Sequence, residues 1–322
     1  MDNTTLTLGQ FMNDWLEDTI KPTTRYGTHR AYEGYINNHI NGILGNKLLT
    51  ELNPQHIQRF VHDLAEIKKL SPRTVHIIMR LLSCALGFAE DCGYVDRSPY
   101  RRIKLPKIQE DEVEAFSNEE QTLIERAALS APDPRMKGFL IMLYTGLRLG
   151  EICALKWENV DLGQKCLWVK ASMTRTANPT GKTKTRIEAT EPKTKKSKRM
   201  IHLPDFLCDV LKEHRKQSKG IYVISEPSGK FVDPRIIQKL FKRLIDKLNI
   251  PPRTLHALRH TFCVRALETG ADIKSISMTL GHTDVMITLN RYAHSLTEQR
   301  QRMMSNLDLY FKSKGIGLIF QT

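Results

Sequence analysis

Acidic residues are in short supply: 35 Asp and Glu stand against 49 Lys and Arg, leaving a formal net charge of +14 on 322 residues. An excess of this size favours a polyanionic partner, nucleic acid first, because neutralising phosphates releases condensed counterions and gives affinity independent of sequence. Long hydrophobic runs are missing as well. The longest candidate, Gly138 to Leu143, falls far below the roughly 20 residues of a bilayer span, so no membrane association is expected. The first residues, Met1-Asp-Asn-Thr-Thr, lack the basic start and apolar stretch of a signal peptide, and the expected location is cytoplasmic. Cysteine is sparse: Cys84, Cys92, Cys153, Cys166, Cys208 and Cys263 form no C-x-x-C pair and lie mostly in apolar periodic segments. There cysteine acts as a small hydrophobe, and neither disulfides nor a Cys-bound metal are expected. With 40% hydrophobic residues, 18 Gly and 14 Pro, the composition excludes a collagen-like or wholly disordered chain.

The length implies two domains, each large enough to bury a core. From Leu6 to about Gly93 apolar residues recur at helical spacing in four segments beginning near Thr7, Thr24, Asn53 and Ser71. Asn53-Pro54 and Ser71-Pro72 place Pro in a helix's first turn behind a capping residue, where its missing N–H costs nothing. After Gly93 the pattern breaks into Ser98-Pro99, a basic cluster (Arg101, Arg102, Lys104, Lys107) and an acidic one, a linker composition. Ser117 followed by Glu120 is a capping box that opens the second domain. Two helices follow, then strands at Leu167-Trp-Val and Met200-Ile-His-Leu flanking a polar stretch, and then helices near Pro204, Pro234, Leu255, Ile273, Asp284 and Leu296. Between Lys165 and Arg199 there are eleven basic residues and two acidic ones, a density that favours phosphate contact over a merely solvated flap. The expected class is mainly α with a small β-sheet (α+β), organised as a helical domain over residues 1–100, a linker over 101–116, a second domain over 117–295 and a C-terminal helix and tail over 296–322.

Singly, the candidate chemical residues say little. Arg148, in Thr145-Gly-Leu-Arg-Leu-Gly-Glu151, projects from a helix N-terminus whose amides also favour anions, although a surface pairing with Glu151 accounts for it equally well. In His256-Ala-Leu-Arg-His260, His256 and Arg259 share one helix face while Leu255, Leu258 and Phe262 point to the core. His256 and His260 also have zinc-ligand spacing, but no Glu follows His256 and no third ligand is in view, so no metal is expected. His282 lies in Leu280-Gly-His282 between two helices, and Tyr292 lies in Asn290-Arg-Tyr-Ala-His294. A lone His there is usually a cap, and a lone Tyr is usually packing.

Together, in the order Arg, Lys, His-x-x-Arg, His, Tyr, these pieces resemble the tyrosine recombinase (phage integrase) family over nearly the whole chain. Chance explains one of the four motif matches easily and all four hardly at all. The resemblance implies a helical core-binding domain ahead of a catalytic domain, the two clamping duplex DNA. It also implies a catalytic Lys on a β-hairpin, for which Lys193 in Glu191-Pro-Lys193-Thr fits, with Lys195 and Lys196 as open alternatives because a one-residue slip exchanges the side chain facing the site. The implied catalytic set is Arg148, Lys193, His256, Arg259, His282 and Tyr292, with Glu151 orienting Arg148 or His256 from behind. DNA contacts are expected from Arg73, Arg101, Arg102, Lys104, Arg175, Lys182, Lys184, Arg186, Lys195, Lys196 and Lys198. The implied reaction cuts and rejoins DNA through a 3′-phosphotyrosyl bond with no cofactor, metal or ATP, in a homotetramer on two DNA sites, with an accessory DNA-bending or directionality factor. Many integrases carry a further amino-terminal arm-binding domain; here the core-binding pattern begins almost at Met1, and that domain is expected to be absent or removed. The alternatives are a type IB topoisomerase or telomere resolvase, a non-catalytic DNA-binding protein on the same scaffold, and a zinc hydrolase built on His256 and His260. The insert from Arg175 to Arg186 looks like an integrase rather than a chromosome-dimer resolvase.

Overall fold

The computed structural model describes residues 5–108, 115–178, 183, 185–191, 198–282, 285 and 295–314. The chain divides into two compact units: Met1–Asp111 with Thr176–Thr185, and Glu112–Arg175 with Arg186–Thr322.

The first unit is built of helices α1 (Leu8–Trp15), α2 (Tyr26–Tyr35), α3 (Pro54–His62) and α4 (Pro72–Asp91). Each of α1, α3 and α4 starts where a side chain can satisfy an orphan amide: Thr7 accepts from Gln10 N–H in a reciprocal box, Asn53 from His56 and Ser71 from Thr74. The apolar stripe of α4 runs through Val75, Ile78, Leu82 and Leu86, all inaccessible to solvent, and packs with Leu8, Met12, Ile36, Ile57, Phe60 and Leu64 into one core. Each such side chain contributes about 1.5–3 kcal/mol by leaving water. One feature was not legible in the hydrophobic spacing. After α1, α2 and α3 the backbone widens into a single π turn, at Leu16–Ile20, Ile36–Ile40 and Asp63–Ile67. Beyond α4 the extended chain is held on this same unit. Gln58 Nε2 donates to the Lys104 carbonyl (3.0 Å), Lys104 N–H donates to Gln58 Oε1 (2.9 Å), and His76 Nε2 meets the Pro106 carbonyl at 2.9 Å.

The second unit opens with α5 (Asn118–Ser130), where the Ser117–Glu120 capping box forms in full, followed by α6 (Lys137–Thr145) and the short α7 (Leu149–Ala154). A three-stranded antiparallel sheet follows, in the order β1 (Val160–Asp161), β2 (Cys166–Val169), β5 (Arg199–His202), with Trp168 opposite Met200 and Val169 opposite Arg199. Between β2 and β5 the polar stretch carries strands of its own. β3 (Ser172–Ala177) and β4 (Thr185–Thr190) form a separate two-stranded sheet, in which the Thr174 and Thr190 hydroxyls meet at 3.0 Å. Each strand carries two threonines, a β-branched residue that suits a pleated, half-exposed surface. Helices α8 (Asp205–Gln217), α9 (Pro234–Lys247), α10 (His256–Glu268), α11 (Ile273–Leu280) and α12 (Ser295–Ser313) complete the unit. Phe116, Phe139, Ile152, Leu167, Ile201, Leu207, Phe241 and Leu258 meet in its main core. The helix expected near Asp284 falls largely outside the described residues.

Candidate active site

Helix α6 ends because Gly146 takes the left-handed conformation (φ +64°), which turns the chain so that Arg148 becomes the N-cap of α7. Three residues on, Glu151 sits one turn into α7, and its carboxylate accepts both the Arg148 N–H (2.9 Å) and Arg148 Nη1 (2.9 Å). The turn leaves little room: a Cβ on Gly146 would lie 2.5 Å from Leu280 Cδ2 and 2.8 Å from Phe262 Cδ1. Gly146→Ala therefore meets both a disfavoured φ and overpacking, and it is expected to cost about 2–4 kcal/mol in a thermal or denaturant unfolding measurement.

A second left-handed glycine, Gly281 (φ +65°), ends α11 and places His282 immediately beyond, its N–H bonded to the Ser277 carbonyl at 3.0 Å. The carbonyls at this helix end are taken up by arginines from three distant segments. Arg199 Nε donates to Thr279 O (2.5 Å), Arg259 Nη2 to Leu280 O (2.7 Å) and Arg148 Nη2 to Gly281 O (3.1 Å). Cations belong at a helix C-terminus, where the last carbonyls lack intrahelical partners and the dipole is negative. Arg259, buried on α10, also donates Nη1 to the Gly146 carbonyl at 2.6 Å, and so joins the two glycine turns.

Glu151 is the counter-charge of this cluster. Its side chain is only 4% exposed; Arg199 Nη1 and Nη2 reach its two oxygens at 3.1 and 2.9 Å in addition to the Arg148 contacts. Burial pushes the Glu151 carboxyl up, but the hydrogen bonds and charge of Arg199, followed by those of Arg148, outweigh it and hold the group below the usual carboxylate value.

Of the residues expected from sequence, Arg148, Glu151 and Arg259 are thus brought together, with His282 next to the carbonyls they hold. Glu151 pairs with Arg148, one of the two partners expected for it, and with Arg199. His256, on α10, is exposed, and its ring meets the buried His260 edge-on at 4.7 Å. Lys193, Lys195, Lys196, Lys182, Lys184 and Tyr292 lie outside the described residues. Arg73, Arg102 and Lys104 are exposed on the first unit, while Arg101 is exposed there and reaches the Ser98 carbonyl and Glu90. On the second unit Arg175 is half-buried against Asp233 (2.9 Å), Arg186 pairs with Glu188 and Lys198 with Glu191. Arg199 was not singled out by sequence reasoning, since it closes a run of basic residues that reads as one phosphate-contacting block. Its signal is its register: it is the first residue of β5, paired across to the buried Val169. Among the described residues no three His, Cys, Asp or Glu side chains are grouped so as to hold a metal ion, and no helix is long and apolar enough to cross a membrane.

Comparison with known proteins identifies the family. The phage integrase family matches residues 106–299, and the phage integrase N-terminal SAM-like domain matches residues 7–65. The chain is 30% identical over 332 residues to the tyrosine recombinase XerC-like protein of Caldanaerobacter subterraneus subsp. tengcongensis, spanning 95% of this chain and 84% of that protein. Its fold is similar to that of the Tn1549 transposon integrase in complex with a circular intermediate DNA (TM-score 0.79, 21% identity, 94% of this chain and 99% of the other). It is also similar to a lambda integrase tetramer bound to a Holliday junction (TM-score 0.69, 18% identity, 88% and 79%). Two matched domains in the order the sequence motifs require, and a relative alike along almost the full length, establish that the chain belongs to the phage integrase family and is a tyrosine recombinase.

Proposed function

We propose that this recombinase integrates and excises a mobile genetic element, cutting and rejoining duplex DNA through a 3′-phosphotyrosyl intermediate. The observation that carries the reading is that Arg148 and Arg259, 111 residues apart in sequence, both donate to main-chain carbonyls at the end of α11, immediately before His282. Breaking a phosphodiester needs a nucleophile, stabilisation of the charge on the nonbridging oxygens and a proton for the departing oxygen. Tyr292 attacks the scissile phosphorus, forming the tyrosyl ester at the 3′ side and releasing a 5′-hydroxyl. Arg148 and Arg259 offer planar forks suited to phosphate oxygens, and His282 donates a further hydrogen bond. Lys193 protonates the leaving 5′-oxygen, with Lys195 and Lys196 as alternatives, and His256 assists proton movement at the nucleophile. The ester conserves the energy of the broken bond, so resealing by the 5′-hydroxyl needs no ATP.

In this reading the helical domain over residues 1–100 and the catalytic domain over 117–295 clamp duplex DNA. Arg73, Arg101, Arg102, Lys104, Arg175, Arg186 and Lys198, with Lys182 and Lys184, supply phosphate contacts. The protein works as a tetramer in the cytoplasm with an accessory DNA-bending factor. The tail over 296–322 docks on a neighbouring protomer, a role supported by the exposed apolar side chains Met303, Leu307, Tyr310 and Phe311 at helical spacing on α12.

The test is covalent capture. Nicked duplexes with a randomised core are incubated with the protein and a chelator, and adducts that survive denaturation are isolated, sequenced and mapped. An adduct on Tyr292 is the expected result. Salt-sensitive binding with no adduct from any duplex would instead favour a DNA-binding protein without the chemistry.

A further inference from the structure

We propose that Arg199 is a positioning residue of strand cleavage, setting the Arg148 guanidinium through Glu151 and the His282 turn through the Thr279 carbonyl. The inference rests on the recombinase reading and adds a residue to its machinery. Arg199 is buried, its side chain 6% exposed against 39% for Arg148. All three of its nitrogens are engaged, Nη1 and Nη2 on Glu151 and Nε on Thr279 O.

Both Glu151 oxygens are shared between the two arginines. Oε1 accepts from Arg148 Nη1 and Arg199 Nη1, and Oε2 accepts from Arg148 N–H and Arg199 Nη2. A carboxylate held from behind by a rigid fork has one orientation, and the Arg148 side chain in front inherits it. The same fork fills the space beside Gly281, where a Cβ would lie 2.9 Å from Arg199 Nη1. One buried side chain thereby fixes both the donor expected to contact the phosphate and the turn that precedes His282. A misplacement of about 1 Å at such a site costs on the order of 100-fold in rate.

Lysine at position 199 keeps the charge and loses the fork. With duplexes obtained by covalent capture on the wild-type protein, Arg199→Lys is expected to bind DNA within about threefold of wild type and to form adduct about 30-fold more slowly. Action through Arg148 is read from a double-mutant cycle: in an Arg148→Lys background, Arg199→Lys should cost less than about threefold more. If Arg199→Lys does not fold, the pair Arg199→Met with Glu151→Gln removes both buried charges together, a change such sites tolerate, and the same two results are expected of it. Unimpaired adduct formation in the single variant, or a full 30-fold further loss in the Arg148→Lys background, overturns the proposal and leaves Arg199 a structural ion pair. Failure of the wild-type protein to form any adduct overturns the recombinase reading on which it rests.

Discussion

Tyr292→Phe is expected to abolish covalent capture of DNA while leaving binding intact. The substitution removes one oxygen, the atom that becomes the ester, and phenylalanine has no other nucleophile to put in its place. Adduct formation should fall by more than about 10⁴-fold, to the limit of detection. Binding should stay within about twofold, because affinity comes from Lys and Arg contacts to phosphates and from counterion release, to which a neutral ring edge adds little. The measurement pairs a gel-shift titration across salt concentrations with a denaturing gel of the same reactions. Undiminished adduct would mean that another side chain is the nucleophile, and peptide mapping of that adduct would identify it.

The second large effect is on stability and its pH dependence. Glu151→Gln withdraws the counter-charge from Arg199, whose side chain is 6% exposed. Breaking a buried pair from one side leaves the other charge uncompensated, a loss on the order of 3 kcal/mol. For a unit of this size that corresponds to a fall of roughly 10 °C in melting temperature. The pH dependence follows from the lowered carboxyl of Glu151. A depressed folded-state value means that the unfolded chain takes up a proton first. The stabilisation is therefore complete above the ordinary glutamate value of 4.5 and drains away as pH falls through the lower, folded-state one. The gap in melting temperature between wild type and Glu151→Gln should be full near neutrality and close in acid. A gap that persists unchanged from neutrality into strong acid would show that the loss arises from packing rather than from charge. Strand cleavage should weaken wherever Glu151 is ionised in the wild type, since a neutral amide holds the Arg148 fork less firmly than a carboxylate.

Much of this molecule was legible in its sequence where short-range chemistry decides structure. Thr7, Asn53, Ser71 and the Ser117–Glu120 box cap helices because a side-chain oxygen two or three residues from an orphan amide acts locally, whatever the rest of the chain does. The pairing of Arg148 with Glu151 was open to the same reasoning, being one helical turn long. Arg199 was not, since its partners lie 48 and 80 residues away and nothing in a run of basic residues distinguishes the buried one. Only the pairing of β5 with β2, a long-range event, turns it inward. The β3–β4 hairpin escaped for a related reason. Each strand turns only one large apolar side chain, Met173 or Ile187, to the core, so the alternation that marks a half-buried strand is faint. The π turns leave no compositional trace, because a one-residue widening of a helix preserves the residue types and shifts only which of them face the core.

The acceptors at the end of α11 are all main-chain carbonyls. Every residue type carries the same carbonyl, so replacing the side chain of Thr279 or Leu280 leaves in place the oxygens to which Arg199 and Arg259 donate. The donors have no such protection, because each arginine can be lost in a single substitution. Point changes therefore act unequally on the two halves of the same contact: one half is written in the backbone and survives them, and the other is written in three codons and does not. Only at Gly281, where φ is +65°, does the backbone half impose a residue of its own.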